Sequence, residues 1–132
     1  MTIVREIIDH TGVVDELLIF SYSVTDVWIR QLLNLRHEKS IGKIIMVLDY
    51  DVMIRHREKL NQLQFVADEV YLTDTHAKVY IAKNKNTTTA AVTSANATNN
   101  LRNECYYITD AELAIRFENE VRGLLEKSSR II

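Results

Sequence analysis

Leu17-Leu18-Ile19-Phe20 and, within Lys43-Ile44-Ile45-Met46-Val47-Leu48-Asp49, the stretch Ile44 to Leu48 are two unbroken apolar runs, each bounded by polar residues. Runs of this length without alternation are the pattern of strands covered on both faces. Between them, Ser23 or Thr25 can cap a helix from about Asp26 to His37, with Val27, Leu32, Leu33 and Leu35 among its apolar positions. Gly42 marks the turn into the second run. Strand, helix and strand in this order fit a right-handed crossover within a parallel sheet.

Working outward, Ile3, Ile7 and Ile8 share one helical face, and Thr11-Gly12 offers a stop at which Gly12 takes a left-handed conformation. The first strand falls within Val13 to Tyr22. Beyond the second strand, Val52 to Leu63 reads as a helix whose clustered Arg55, His56, Arg57, Glu58 and Lys59 form a solvated face. Val66 to Leu72 reads as a short strand. His76 to Ala82, the polar turn Lys83-Asn84-Lys85-Asn86 and Thr87 to Thr93 read as a β-hairpin, and Glu104 to Ile108 as the last strand. Thr109-Asp110-Ala111-Glu112 has the form of a capping box with Thr109 as N-cap. The helix it opens runs to about Lys127 and buries Leu113, Phe117, Val121 and Leu124. The sum is a single α/β domain over 1–132, a mixed β-sheet flanked by helices on both faces.

A chain of 132 residues can bury roughly two thirds of its unfolded surface without disulfides or metal. The net charge of −2 leaves no global footprint for nucleic acid, so any polyanion contact must be local. Cys105 has no second cysteine to pair with, which agrees with a reducing compartment, and is expected to be a buried, inert thiol. The apolar runs are far too short to span a bilayer. Glu6 interrupts the N-terminus before any apolar stretch forms, so a signal peptide is not expected and a cytoplasmic location follows by default.

The residues with chemistry to offer cluster late in the chain: His76-x-Lys78, then Thr93-Ser94-x-Asn96, then Glu104. In an extended strand His76, Lys78 and Tyr80 share one face while Ala77, Val79 and Ile81 pack the other way. The hairpin would bring Ser94 and Asn96 beside the imidazole and the ammonium, forming a cradle for a phosphate. Taken alone, the same residues also suit a surface histidine and a helix-capping loop.

This arrangement resembles the phospholipase D superfamily, whose hallmark is His-x-Lys-x4-Asp followed by Gly-Ser-x-Asn. Leu17 to Val24, LLIFSYSV, is similar to that family's early core strand, and Lys43 to Asp49, KIIMVLD, to its second. Lys83 stands where the family has aspartate, and Thr93 where it has glycine. The resemblance implies a phospholipase D-like fold with His76 as nucleophile on a phosphodiester and Lys78 on the non-bridging oxygens. Ser94 and Asn96 would donate to those oxygens, and Glu104 would fix the imidazole tautomer. No metal or other cofactor is needed for that chemistry. Single-motif members pair two chains, so a homodimer is expected, with the second copy of His76 protonating the leaving group. His10, His37 and His56 are poorer candidates for that acid.

The first expectation is therefore a metal-independent phosphodiesterase, a nuclease acting on DNA or RNA without sequence preference. Lys83-Asn84-Lys85-Asn86 and Arg102 would add positive charge beside the site. The alternative is a catalytically degenerate domain that binds phosphate or nucleic acid without hydrolysis. A lipid-directed transferase is a weaker third, because nothing in the chain would bring it to a membrane.

Overall fold

The computed structural model describes residues 2–22, 24–39, 41–74, 78–93 and 106–132. In chain order the elements are α1 (Thr2–Thr11), β1 (Glu16–Ser21), α2 (Asp26–Lys39), β2 (Lys43–Asp49), α3 (Tyr50–Arg55) and α4 (Arg57–Leu63). They continue with β3 (Glu69–Thr73), β4 (Val79–Lys83), β5 (Thr88–Thr93), β6 (Tyr106–Ile108), α5 (Ala111–Leu125) and β7 (Ser129–Arg130). The strands form one sheet in the order β6-β5-β4-β1-β2-β3-β7. β1, β2 and β3 are parallel neighbours joined by helical crossovers, whereas β4 pairs antiparallel with β1 and leads into the β5 and β6 meander.

The two decisive runs behave as their composition requires. Leu17 and Ile19 of β1, with Ile44, Met46 and Leu48 of β2, enter a large core with Ile7 of α1, Trp28 and Leu32 of α2 and Leu63 of α4. Leu18, Phe20, Ile45 and Val47 face the other way, into a smaller cluster with Ala114 and Val121 of α5. The α/β class with helices on both faces is thus observed. Gly12 has φ +85° and donates its N–H to the Ile8 carbonyl at 2.8 Å, closing α1 as the sequence requires. Thr25 caps α2, its hydroxyl accepting from the Trp28 N–H at 3.3 Å.

Five expectations need correction. β6 is not the last strand, since β7 follows α5 and pairs antiparallel with β3. The helix expected over Val52 to Leu63 is two helices, broken at His56 (φ −137°, ψ 46°), and it begins earlier because the Asp49 carboxylate caps α3. The cap of α5 is Asp110, which accepts from the Leu113 N–H at 2.8 Å. Thr109 is drawn into the sheet instead, its N–H donating to the Ala90 carbonyl at 2.9 Å, so no Thr109–Glu112 capping box forms. The buried stripe of α5 is rotated: Ala114, Glu118 and Val121 are buried and Leu124 is exposed. Tyr80, expected on a polar face, is 2% exposed and packs against Trp28 with ring centroids 6.3 Å apart. A strand covered by helices on both sides has no polar face to offer.

The amino ends of the parallel strands are laced by alternating charge. Glu16 stands in register between Lys43 and Lys83. Glu118 of α5 accepts from Lys83 Nζ at 2.7 Å and Arg122 Nη2 at 2.9 Å, and Arg122 also pairs with Glu16. Glu69 is held by Lys43, by the Tyr71 hydroxyl at 2.6 Å and by Arg130 at 3.4 Å. Burial pushes the Glu118 pKa up, but the hydrogen bonds and charges of Lys83 and Arg122 outweigh that and hold it below the usual carboxylate value. The Lys43 and Tyr71 hydrogen bonds do the same for Glu69. Among the described residues no helix is long and apolar enough to cross a membrane.

Candidate nucleic-acid interface

The opposite edge of the sheet is where β1, β2 and β3 end, β4 begins and β5 ends. In open α/β sheets the carboxyl ends of strands, where strand order reverses, form the usual crevice for ligands. Here the reversal falls at β1, which has β2 on one side and β4 on the other.

Polar residues interrupt the apolar core at this edge. The Thr93 N–H donates to the Lys78 carbonyl at 3.0 Å, extending the β4–β5 ladder one step past the Val79↔Val92 pair. On β1, Ser21 follows Phe20, the partner of Val79, so Ser21, Lys78 and Thr93 succeed one another across three strands. Ser21 is fully buried, Thr93 is 7% exposed and Lys78 is half-buried. None of the three is without a partner. Polar groups at such depth are costly unless hydrogen-bonded, so this row is a built feature of the edge.

Tyr22 and two carboxylates flank the row. The Asp49 carboxylate accepts from the Asp51 N–H at 2.8 Å, and Asp51 pairs with Arg55 at 3.0 Å. Burial raises the Tyr22 phenol pKa, and the Asp51 and Asp49 carboxylates raise it further, with Asp51 also its hydrogen-bond acceptor. Tyr22 therefore stays a protonated donor throughout the physiological range. Ser21 is fully buried and the Tyr22 hydroxyl donates to Asp51, so the group at this edge suited to an incoming anion is the Lys78 ammonium, with the Thr93 hydroxyl beside its strand position. Among the described residues no group of three metal-ligating side chains occurs.

Of the residues singled out from sequence, Lys78 and Thr93 are placed here. His76, Ser94, Asn96 and Glu104, with Arg102 and Cys105, lie outside the described residues. The turn Lys83-Asn84-Lys85-Asn86 is not beside Lys78: it sits at the far end of β4, about 16 Å away at the rise of an extended strand. There Asn84 Oδ1 accepts from the Asn86 and Thr87 N–H groups, and Lys83 is spent on Glu118. Ser21, Tyr22, Asp49 and Asp51 escaped the sequence reading. Their positions at the ends of the two clearest strands were the available signal.

No protein-family model and no curated protein matches the chain. Among solved structures it is similar to TrmBL2, an archaeal chromatin protein that shows a novel mode of DNA binding. The similarity has a TM-score of 0.58 at 10% identity and covers 97% of this chain and 49% of that one, so the chain spans about half the length of that protein. These findings overturn the assignment to the phospholipase D superfamily. Lys83, at the position of that family's aspartate, serves the ion pairs of the other sheet edge. What is shared with TrmBL2 is the fold.

Proposed function

We propose that this domain holds the phosphate backbone of a nucleic acid at the carboxyl edge of its sheet, binding the strand without cutting it. The observation that carries this reading is the Thr93–Lys78 backbone pairing, which gathers an ammonium and buried hydroxyls where the strand order reverses. The DNA binding of TrmBL2, which shares the fold, supports the same class of ligand. Lys78 and Arg55 stand against Asp49, Asp51 and Asp74, so the edge carries no excess of positive charge, and at most one or two phosphate contacts and no base readout are expected.

A second reading follows from chain connectivity. His76 lies two residues before Lys78 and Ser94 directly after Thr93, so both are tethered to the paired positions. In that reading His76 is the nucleophile of a metal-independent phosphodiesterase, and a homodimer supplies the second histidine as acid. Incubation of the purified protein with labelled single- and double-stranded DNA and RNA in excess chelator separates the two. Retained, salt-sensitive binding with intact substrate is the expected result. Turnover in chelator that disappears in His76→Asn would replace it with the hydrolytic reading, and absence of both binding and turnover would remove both.

A further inference from the structure

We infer that the cavity between α2 and the end of α4 binds a free aromatic α-amino acid. It has a volume of about 520 Å³, within the range of small-molecule sites. One wall is a stripe of α2, Asp26, Ile29, Arg30 and Leu33, whose spacing of three and four residues puts them on one helical face. The other wall includes Phe65 and Val66, just beyond α4. The two walls are fastened together, because Arg36, one turn beyond Leu33, donates to the Val66 carbonyl and, at 2.8 Å, to the Asp68 carboxylate. The cavity is therefore a built part of the fold.

Its floor is apolar. Ile29 and Val66 are 3% and 2% exposed and belong to the large core, against which Leu33 packs. Phe65 is 74% exposed, so a ring laid against it over this floor would bury apolar surface on both partners. The charged groups are of opposite sign. Asp26 and Arg30 stand one helical turn apart, about 6 Å between Cβ atoms, a spacing at which such side chains can pair. Yet neither side chain makes an ion pair or a hydrogen bond among the described residues. A ligand whose ammonium and carboxylate sit on one carbon can meet both, the ammonium on Asp26 and the carboxylate on Arg30, while its ring lies over Ile29, Leu33 and Phe65. A carboxylate or an amine alone would leave one charge unmet, and a side chain offered from within a peptide brings neither.

Isothermal titration of the full chain with phenylalanine, phenethylamine, 3-phenylpropionate and N-acetylphenylalanine amide tests the inference. Phenylalanine should bind saturably and one to one, and each of the other three about tenfold more weakly or worse. Arg30→Gln should erase the advantage over phenethylamine, and Asp26→Asn the advantage over 3-phenylpropionate. Phe65→Ala, which removes an exposed side chain and so keeps the fold, should weaken all four ligands. Arg57→Gln, exposed at the start of α4 and outside the cavity, should bind as the wild type does. No binding of phenylalanine, equal binding of N-acetylphenylalanine amide, as a peptide-docking groove would give, or the same loss in Arg57→Gln as in Arg30→Gln would each overturn the proposal.

Discussion

Replacing Glu118 with glutamine probes the charge lacing that holds α5 to the sheet. The carboxylate is buried and accepts from Lys83 Nζ at 2.7 Å, Arg122 Nε at 3.1 Å and Arg122 Nη2 at 2.9 Å. Hydrogen bonds to a charged group contribute roughly 1.5–3 kcal/mol each. The Lys83 and Arg122 side chains are 34% and 37% exposed, so water recovers part of what they lose. The net cost of Glu118→Gln is then about 2–3 kcal/mol. For a chain of this length about 3–5 °C of melting temperature accompanies each kcal/mol, so a fall of roughly 6–15 °C is expected at neutral pH. The assay is thermal unfolding followed by circular dichroism, repeated at acid pH. Because the folded pKa of Glu118 is depressed, the wild type loses this stabilisation only as pH drops through that folded value, and there the two proteins converge. A fall under about 2 °C at neutral pH, or a gap that acid does not diminish, would refute the reasoning.

Other consequences are sharp enough to measure. Asp110→Ala should cost about 1 kcal/mol through loss of the α5 cap, whereas Thr109→Val should be neutral or stabilising; chemical denaturation that found the reverse would restore Thr109 as the cap. In Gly42→Ala the new Cβ would meet the Asp15 carbonyl oxygen at 2.7 Å, so a loss of about 1–3 kcal/mol is expected by urea unfolding. Glu69 and Glu118 both have pKa values held below the ordinary 4.5, so their stabilisation is complete above that pH and lost as the pH falls through their folded values. Unfolding curves should therefore show stability dropping only in acid, and the drop should shrink in Glu69→Gln.

Much of the fold was legible because its decisive features are local. Lys43–Asp49 coincides with the observed β2, since an apolar run bounded by Gly42 and Tyr50 leaves a covered strand little alternative. Gly12 announced the end of α1 for a similar reason. The break at His56 was not legible: no glycine or proline marks it, and Val52, Leu60 and Leu63 keep the spacing of one continuous helical face. Thr109 and Asp110 are both good caps, and the ladder bond to Ala90 decided between them, a contact that spans the sheet. Among the described residues the candidate site was legible only at Lys78 and Thr93. Ser21, Asp49 and Thr93 reach the same edge through the strand order β2-β1-β4-β5, which chain order does not display. The family assignment failed on the same ground, because a few spaced residue types do not report which edge of the sheet each one serves.

The sheet edge as a phosphate site is tested most directly by the salt dependence of DNA binding, measured by fluorescence anisotropy for the wild type and Lys78→Ala. With one or two phosphates contacted, log K against log salt should have a slope of about −0.9 to −1.8, a loss of roughly three- to twelve-fold between 50 and 200 mM. Lys78→Ala should make that slope shallower by about 0.9. A wild-type protein that does not bind DNA, or a slope that Lys78→Ala leaves unchanged, would contradict the account.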